Sequence, residues 1–163
     1  MDSPFSTLPN EILVLCTGNI CRSPMAEGIL RDRLETAGLA EIRVASAGTS
    51  GWDRYPPTPD AVRACADIGI DISRLRSQPV DSEMVRWADW LLVMEPTHRS
   101  WMERTFPEVN PRLRLLGDFH PEAPGVSVPD PYDRPFFAYV EARDRILRSV
   151  EGLMARLDEL RKD

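Results

Sequence analysis

The sequence predicts an α/β domain built on a doubly wound, four-stranded parallel sheet flanked by helices. Apolar, strand-like runs alternate along the chain with segments of helical periodicity, which is the pattern of parallel strands joined by crossover helices. The run at residues 90–94 is almost continuously apolar, as expected for a strand buried on both faces of the sheet. A short glycine-containing loop joins the first strand directly to a helix, and such a loop is the expected binding site of this fold.

Each element follows from its local sequence. Gly38 and Gly69 are typical helix ends, and residues 117–135 contain five prolines, which favours a functional loop. Residues 1–10 are predicted to form a flexible extension, followed by a single domain over residues 11–163. Strands are predicted at residues 11–15, 42–47, 90–94 and 112–116. Helices are predicted at residues 24–37, 60–68, 81–88 and 136–160, and one further helix is expected directly after the third strand.

The composition excludes several classes of partner. The formal net charge of −6 and the isoelectric point near 5.0 argue against nucleic acid, because no basic stripe is present. No apolar run approaches a membrane span and no signal peptide is recognisable, so a cytoplasmic protein without a membrane partner is predicted. Three cysteines, an odd number, favour reduced thiols over a disulfide framework. His98 and His120 have no metal-ligand spacing with the cysteines, so neither a metal nor a cofactor is predicted.

The residues between the first strand and the first helix have the composition of an anion cradle. Backbone N–H groups of such a loop point inward, and the helix dipole adds about half a positive charge there. Gly18 lets the backbone approach a ligand, Asn19 tolerates a left-handed conformation, and Arg22 offers a planar fork for two phosphoryl oxygens. Ser23 is expected to cap the helix and Pro24 to be its first residue. The predicted phosphate-binding residues are Thr17, Gly18, Asn19, Ile20, Cys21, Arg22 and Ser23.

Cys16 begins this loop and is the predicted nucleophile. The positive field around the sulfur favours its thiolate, and a thiolate that faces a bound phosphoryl group can attack phosphorus. The plain alternative is a buried cysteine that packs as a small apolar side chain at a strand end. Arg22 argues against this alternative, because a cation at a helix N-terminus is unfavourable unless an anion binds there.

The loop sequence C-T-G-N-I-C-R-S-P resembles the signature loop of the low-molecular-weight protein tyrosine phosphatases. Residues 46–49 (S-A-G-T) and 130–132 (D-P-Y) fall where that family has its second and third landmarks, so the resemblance extends from about residue 12 to the last helix. It implies hydrolysis of protein phosphotyrosine and of small aryl phosphates through a cysteinyl-phosphate intermediate. Cys16 and Arg22 are the catalytic residues that the resemblance implies in the loop.

Asp130 is the candidate proton donor. The departing ester oxygen needs a proton, the later hydrolysis of the phosphocysteine needs a base, and one carboxyl group can serve both steps in turn. The prolines on either side of Asp130 restrict its backbone, which suits a side chain held above a pocket. From the residues alone, Asp118 and Asp133 remain alternatives, whereas the resemblance implies Asp130.

Trp52, Tyr55 and Tyr132 are aromatic residues in predicted loops, where they could stack on a flat aromatic substrate. By resemblance, only Trp52 and Tyr132 are carried over as walls of the substrate pocket. Asp133 stands where some relatives have a second tyrosine, so no role is assigned to a tyrosine pair.

Other functions on the same fold remain to be weighed. Protein-arginine phosphatases are similar across the whole fold but commonly have threonine at the position of Ile20, so Ile20 favours tyrosine. Arsenate reductases use a similar loop but need further redox cysteines, and past the loop this chain has only Cys65, which is expected in the core. A non-catalytic phosphate-binding module would more naturally lack the nucleophile or the acid.

Cys21 has two interpretations. It is either a packing residue or the partner of an oxidised Cys16 in a reversible disulfide, because a loop curled around a phosphate could bring the two sulfurs together.

Overall fold

The predicted doubly wound parallel sheet is confirmed in the computed structural model, which describes residues 3–163. Its strands are β1 (Glu11–Cys16), β2 (Arg43–Gly48), β3 (Trp90–Val93) and β4 (Leu113–Leu115). They lie in the order β2-β1-β3-β4, and every pairing is parallel. Because β1 lies between β2 and β3, the chain reverses its winding direction there. The carboxyl ends of β1 and β3 therefore form a topological switch point, where ligands bind in open α/β sheets.

Helices cover both faces of this sheet. The side chains of β1 alternate between the two layers: Ile12 and Val14 belong to the same core as α-helical residues of the first and last helices, whereas Leu13 and Leu15 pack in the opposite core. The helices are α1 (Arg22–Thr36), α2 (Pro59–Ala66), α3 (Ser82–Trp87), α4 (Pro96–Thr105) and α5 (Phe136–Lys162), with 3₁₀ turns at Pro4–Ser6, Pro107–Arg112 and Leu116–Phe119. Within residues 3–163, none of the helices combines the length and apolarity that crossing a membrane requires.

Helix α1 begins at Arg22, two residues before the predicted start. The prediction that Ser23 caps this helix is wrong, because Cys21 precedes the first turn and makes no side-chain capping bond. Pro24 is tolerated inside the first turn, where a backbone N–H has no intrahelical partner to lose. Ser23 is fully buried, and its hydroxyl lies 3.0 Å from the sulfur of Cys16.

The segment before β1 differs from the flexible extension predicted over residues 1–10. Phe5 is buried and stacks on Trp90, with ring centroids 4.7 Å apart, and the indole N–H of Trp90 donates to the carbonyl of Pro4 at 2.9 Å. The guanidinium of Arg156 on α5 donates to the carbonyl of Phe5 at 3.2 Å. The prediction is therefore wrong for this part of the segment, because a single aromatic side chain docks it on the core; residues 1 and 2 lie outside the described residues.

Candidate active site

The loop between β1 and α1 converges on the sulfur of Cys16. The backbone N–H of Asn19 lies 3.3 Å from Cys16 Sγ, and the N–H of Ser23 lies 3.5 Å from it. The Ser23 hydroxyl is the third contact, at 3.0 Å. Three hydrogen-bond donors around one sulfur stabilise a negative charge on it.

Asn19 holds this loop in shape. Its backbone is left-handed, with φ of 58°, a conformation that asparagine tolerates better than most residues. Its Nδ2 donates to Ser23 Oγ at 2.7 Å and to Ser46 Oγ at 2.9 Å. Its Oδ1 accepts from the backbone N–H of Gln78 at 3.0 Å. All the polar atoms of a buried side chain are thus used to join the loop to β2 and to the segment after α2.

The direction of these hydrogen bonds follows from a buried carboxylate. Ser46 donates its hydroxyl hydrogen to Glu27 Oε1 at 2.6 Å, so Ser46 accepts from Asn19. Ser23 also accepts from Asn19, which leaves the hydroxyl hydrogen of Ser23 free to point at Cys16 Sγ. The network therefore presents a donor, not a lone pair, to the sulfur.

Gly48 allows β2 to approach the loop. It is in register with Cys16 at the end of the β1–β2 ladder. A Cβ at this position would lie 2.7 Å from the carbonyl oxygen of Thr17, a distance that Cβ atoms do not adopt. The segment at residues 46–49 thus supplies both a hydroxyl for Asn19 and the space that the loop needs.

Arg22 is held along one edge of its guanidinium and open along the other. The residue is 1% exposed, and Nη1 donates to Glu95 Oε1 at 2.9 Å and to the carbonyl of Val128 at 3.0 Å. Nη2 makes only two long contacts, 3.4 Å with Thr17 Oγ1 and 3.7 Å with Asp130 Oδ2, and the buried Nε has no partner among the described residues. The Nε–Nη2 edge can therefore donate hydrogen bonds to two oxygens of an anion.

His98 contacts the loop from the first turn of α4, the helix that follows the neighbouring strand β3. It is 3% exposed, and its Nε2 lies 2.9 Å from Thr17 Oγ1. Burial first, and then the positive charge of Arg22, lower the pKa of His98 from 6.5 to about 4, against smaller opposing effects of Glu95 and Asp130. The imidazole is therefore neutral near pH 7. Because Thr17 accepts from Arg22, its own hydroxyl can donate to Nε2.

Asp130 lies above the loop at the mouth of the site. One carboxylate oxygen accepts from the backbone N–H of Tyr132 at 3.0 Å, and the other lies 3.7 Å from Nη2 of Arg22. The side chain is half exposed. The alternatives lie elsewhere: Asp118 accepts from the N–H of Leu115 in a 3₁₀ turn, and neither Asp118 nor Asp133 lines the cavity that Asp130 lines.

The cavity above Cys16 has a volume of about 160 Å³. Most of the predicted site residues meet here, whereas Asn19 and Ser23 are buried outside the lining and reach the site through Cys16 Sγ. Trp52 and Tyr132 stand at the rim with ring centroids 6.2 Å apart and planes nearly perpendicular. The lining residues are Cys16, Thr17, Gly18, Ile20, Cys21, Arg22, Ser50, Trp52, Asp130 and Tyr132.

Sequence reasoning missed Glu95, His98 and Ser50. Glu95 and His98 follow β3, which neighbours β1, so their position after an apolar strand was the available signal. Ser50 lines the cavity, and its buried hydroxyl has no partner among the described residues. No group of three metal-ligating side chains is found within residues 3–163.

Fold and site together define an α/β protein of the phosphate-binding class, in which a thiol, an arginine and a carboxylate surround a small cavity at the end of the first strand. The family model for low molecular weight phosphotyrosine protein phosphatase matches residues 11–163. The chain belongs to this family.

Relatives of two specificities are similar to the chain. A probable low molecular weight protein-tyrosine-phosphatase, EpsP of Ralstonia nicotianae, is 36% identical over 91% of this chain and 97% of its own length. A protein-arginine-phosphatase of Geobacillus stearothermophilus is 31% identical over 92% of this chain and 97% of its own. The solved structure of Vibrio vulnificus Wzb in complex with benzylphosphonate superimposes with a TM-score of 0.84, at 29% identity, covering 92% of this chain and 100% of Wzb.

Stability should depend on pH through His98. Because the pKa of His98 is about 4 in the folded protein, below its ordinary value of 6.5, only the unfolded chain binds this proton between those pH values. The free energy of unfolding should therefore fall as the pH drops from 7 to 4, by up to about 3 kcal/mol from this residue. The free energy of unfolding, measured with urea at several pH values, should fall less steeply between pH 7 and 4 in His98→Asn than in the wild type.

His120→Asn is the control, because it removes the other histidine from a loop outside the cavity. The comparison uses the slope of stability against pH, since His98→Asn also changes the contact with Thr17. If the free energy of unfolding fell as steeply with pH in His98→Asn as in the wild type, His98 would not be the cause of the pH dependence.

Proposed function

We propose that this protein hydrolyses phosphomonoesters on protein tyrosines, and on small aryl phosphates, through a cysteinyl-phosphate intermediate. The observation that carries the proposal is the convergence of Cys16 and the open edge of Arg22 on one small cavity. Hydrogen-bond donors surround the sulfur of Cys16, so they stabilise a thiolate directly beside the position that phosphorus would occupy. The family and the named protein-tyrosine phosphatases among its relatives support the same reaction.

In the first step, Nε and Nη2 of Arg22 and the loop N–H groups bind the phosphoryl oxygens. The Cys16 thiolate attacks phosphorus, an S–P bond forms, and the bond between phosphorus and the ester oxygen breaks. Asp130, in its protonated form, donates a proton to the departing phenolic oxygen. Its position at the cavity mouth, 3.7 Å from Nη2 of Arg22, is on the side from which the leaving group exits.

In the second step, the carboxylate of Asp130 removes a proton from water, and the oxygen of that water attacks phosphorus. The S–P bond breaks, inorganic phosphate leaves, and Asp130 is again protonated for the next cycle. The electron pair returns to Cys16, where the Ser23 hydroxyl, 3.0 Å away, stabilises the departing thiolate. Both steps use residues of this chain only.

The shape of the cavity favours tyrosine over the alternatives. Ile20, Trp52 and Tyr132 give it apolar walls that suit the flat ring of phosphotyrosine. Benzylphosphonate, in the solved Wzb complex, combines the same two elements, an aromatic ring and a phosphonate. Arginine phosphatase is the second candidate, because relatives of that name match almost the whole chain. For arsenate reduction, Cys65 is the only cysteine past the loop, and it is completely buried in the core.

The proposal extends to the cellular setting. Residues 11–163 would act as one catalytic domain in the cytoplasm, where the reducing environment keeps the nucleophilic thiol free. The substrates would be phosphotyrosine proteins or small phosphoesters. Because the net charge is −6, the protein as a whole does not attract an anionic substrate, and the attraction would come from the positive groups of the site.

Turnover of three peptides tests the reaction and its specificity. The wild type should hydrolyse phosphotyrosine peptides faster than phosphoarginine peptides and should leave phosphoserine peptides almost intact, because the shorter serine side chain cannot bring phosphorus down to Cys16. Cys16→Ser should abolish turnover but retain measurable vanadate binding, since Arg22 and the loop N–H groups remain. Preferred turnover of phosphoarginine would assign the second function, and activity in Cys16→Ser would exclude the covalent route.

Replacement of Asp130 by asparagine should reveal the proton donor. Asparagine can still accept the hydrogen bond from Tyr132, so the loop geometry is kept. The rate constant kcat should fall by roughly 10²- to 10⁴-fold for alkyl-substituted phenyl phosphates, which have poor leaving groups. The loss should be smaller for p-nitrophenyl phosphate. Asp118→Asn and Asp133→Asn are matched controls, and the same leaving-group pattern in either of them would move the assignment away from Asp130.

We also propose that Cys21 protects Cys16 against irreversible oxidation. Both thiols are free and line the same cavity. Peroxide would oxidise the Cys16 thiolate to a sulfenic acid, and the Cys21 sulfur would displace water from it to form a disulfide. Burial, however, raises the pKa of Cys21 to about 11, and its sulfur lies 3.5 Å from Thr58 Oγ1 and 3.7 Å from Tyr139 Oη. Disulfide formation should therefore be slow near neutral pH.

Peroxide-treated enzyme should regain activity with dithiothreitol, and the recoverable fraction should rise between pH 7 and 9, because more Cys21 ionises as the pH approaches its pKa. Cys21→Ser should lose this recovery, whereas Cys65→Ala should behave as the wild type. Mass spectrometry should find the Cys16–Cys21 link. A Cys16–Cys65 link, or equal recovery in Cys21→Ser, would assign Cys21 to packing.

A further inference from the structure

Three exposed aromatic side chains form one continuous surface beside the cavity, which we call the aromatic shelf: Trp52, Tyr55 and Tyr132. They are 41%, 55% and 50% exposed. The ring of Trp52 lies 5.4 Å from that of Tyr55 and 6.2 Å from that of Tyr132, between centroids. Burying such surface against a partner is favourable, so a cluster at the mouth of a binding cavity indicates contact with something larger than the cavity holds.

The outer residue of the aromatic shelf, Tyr55, does not line the cavity. The cavity volume of about 160 Å³ is below the roughly 300 to 1,000 Å³ of pockets for drug-sized ligands. It has room for little more than one ring and its phosphoryl group. A side chain that contacts Tyr55 must therefore belong to a part of the substrate that remains outside the cavity.

The backbone of Tyr55 is fixed although its ring is exposed. Its N–H donates to Ser77 Oγ at 2.9 Å, and its carbonyl accepts from the N–H of Ser77 at 2.8 Å. Arg54, in a left-handed conformation with φ of 64°, donates its own N–H to the carbonyl of Ser77 at 2.7 Å. Ser77 is almost completely buried. The ring is thus presented on an anchored loop, which lowers the entropy lost when a partner binds.

We propose that the aromatic shelf binds an apolar side chain next to the phosphotyrosine in a protein substrate. The inference rests on the proposed function, because the phosphotyrosine ring in the cavity is what brings the neighbouring chain to Trp52 and Tyr55. Consecutive residues of an extended peptide advance about 3.3 Å each, so a residue one or two positions from the phosphotyrosine can reach the shelf.

Apart from Asp130, which lies 3.7 Å from Nη2 of Arg22, the charged residues next to the aromatic shelf occur in pairs of opposite sign. The residues adjoining Trp52 and Tyr55 include Asp53 and Arg54, and those that follow Tyr132 are Asp133 and Arg134, all exposed. Each acidic side chain thus has a basic neighbour in sequence, and the two pairs cancel formally. Selection among flanking residues would therefore come from apolar contact.

Two phosphotyrosine peptides test the proposal, one with leucine on both sides of the phosphotyrosine and one with serine there, in the same glycine-rich sequence. The wild type should have a kcat/KM ratio, leucine over serine, of roughly 3- to 10-fold. In Tyr55→Ala this ratio should fall towards one. Tyr55→Phe should keep it, because the ring face and not the hydroxyl makes the contact.

Phe137→Ala is the matched control, since Phe137 is 59% exposed and makes no ring contact with the shelf among the described residues. It should keep the wild-type ratio. Equal kcat/KM for both peptides in the wild type, or the same loss of the ratio in Phe137→Ala, would overturn the proposed binding role of the aromatic shelf. Phosphotyrosine turnover itself would still stand. Absence of turnover with both peptides would instead contradict the proposed function, and the proposed role of the aromatic shelf with it.

Sedimentation velocity tests the alternative that the aromatic shelf binds a second copy of the chain. The wild type and Tyr55→Ala should sediment alike at assay concentrations. A dimer in the wild type that Tyr55→Ala dissociates, with an unchanged peptide ratio, would assign the shelf to self-association and overturn the proposal.

Discussion

A buried positive charge is the constraint on which the rest of the site depends. Arg22 is 1% exposed and begins a helix whose dipole opposes its charge. The carboxylate of Glu95 and the carbonyl of Val128 offset the cost of burial along one edge of the guanidinium. Along the other edge, Nη2 has only the long contacts with Thr17 and Asp130, and Nε has no hydrogen-bond partner within residues 3–163. An anion in the cavity would complete the contacts of this side chain.

The sheet order explains why these partners meet. Arg22 follows β1 and Glu95 follows β3, and these adjacent parallel strands end at the same edge. Val128 reaches the site because its backbone N–H donates to the carbonyl of Met94 at the end of β3, at 2.9 Å. The same bond holds the loop that carries Asp130. The Cys16 loop, the partner of the guanidinium and the Asp130 loop are therefore positioned by one switch point of the sheet.

The site divides recognition between two kinds of contact. In the proposed mechanism, backbone N–H groups and Arg22 would bind the phosphoryl group, which every phosphoester shares, whereas Ile20 and the aromatic shelf would contact the group attached to it. Phosphate contacts alone could not separate tyrosine from arginine substrates. The relatives include both tyrosine and arginine phosphatases, so under the proposed function the apolar walls and the surface beyond them would be where the two specificities differ.

The amino-acid sequence was sufficient to predict the parallel α/β architecture and the loop around Cys16, because apolar periodicity and a contiguous motif are local properties of the chain. It did not predict that Ser23 lies inside the helix, where its hydroxyl contacts Cys16. Nor did it predict that Phe5 docks on the core, since that depends on packing against the distant Trp90. It left Asp130 open against two other acids and missed Glu95 and His98. The tertiary structure places Asp130 at the cavity and brings Glu95 and His98 to the Cys16 loop through the strand order. These partners are tens of residues apart along the chain, so no periodic pattern in the sequence reveals them.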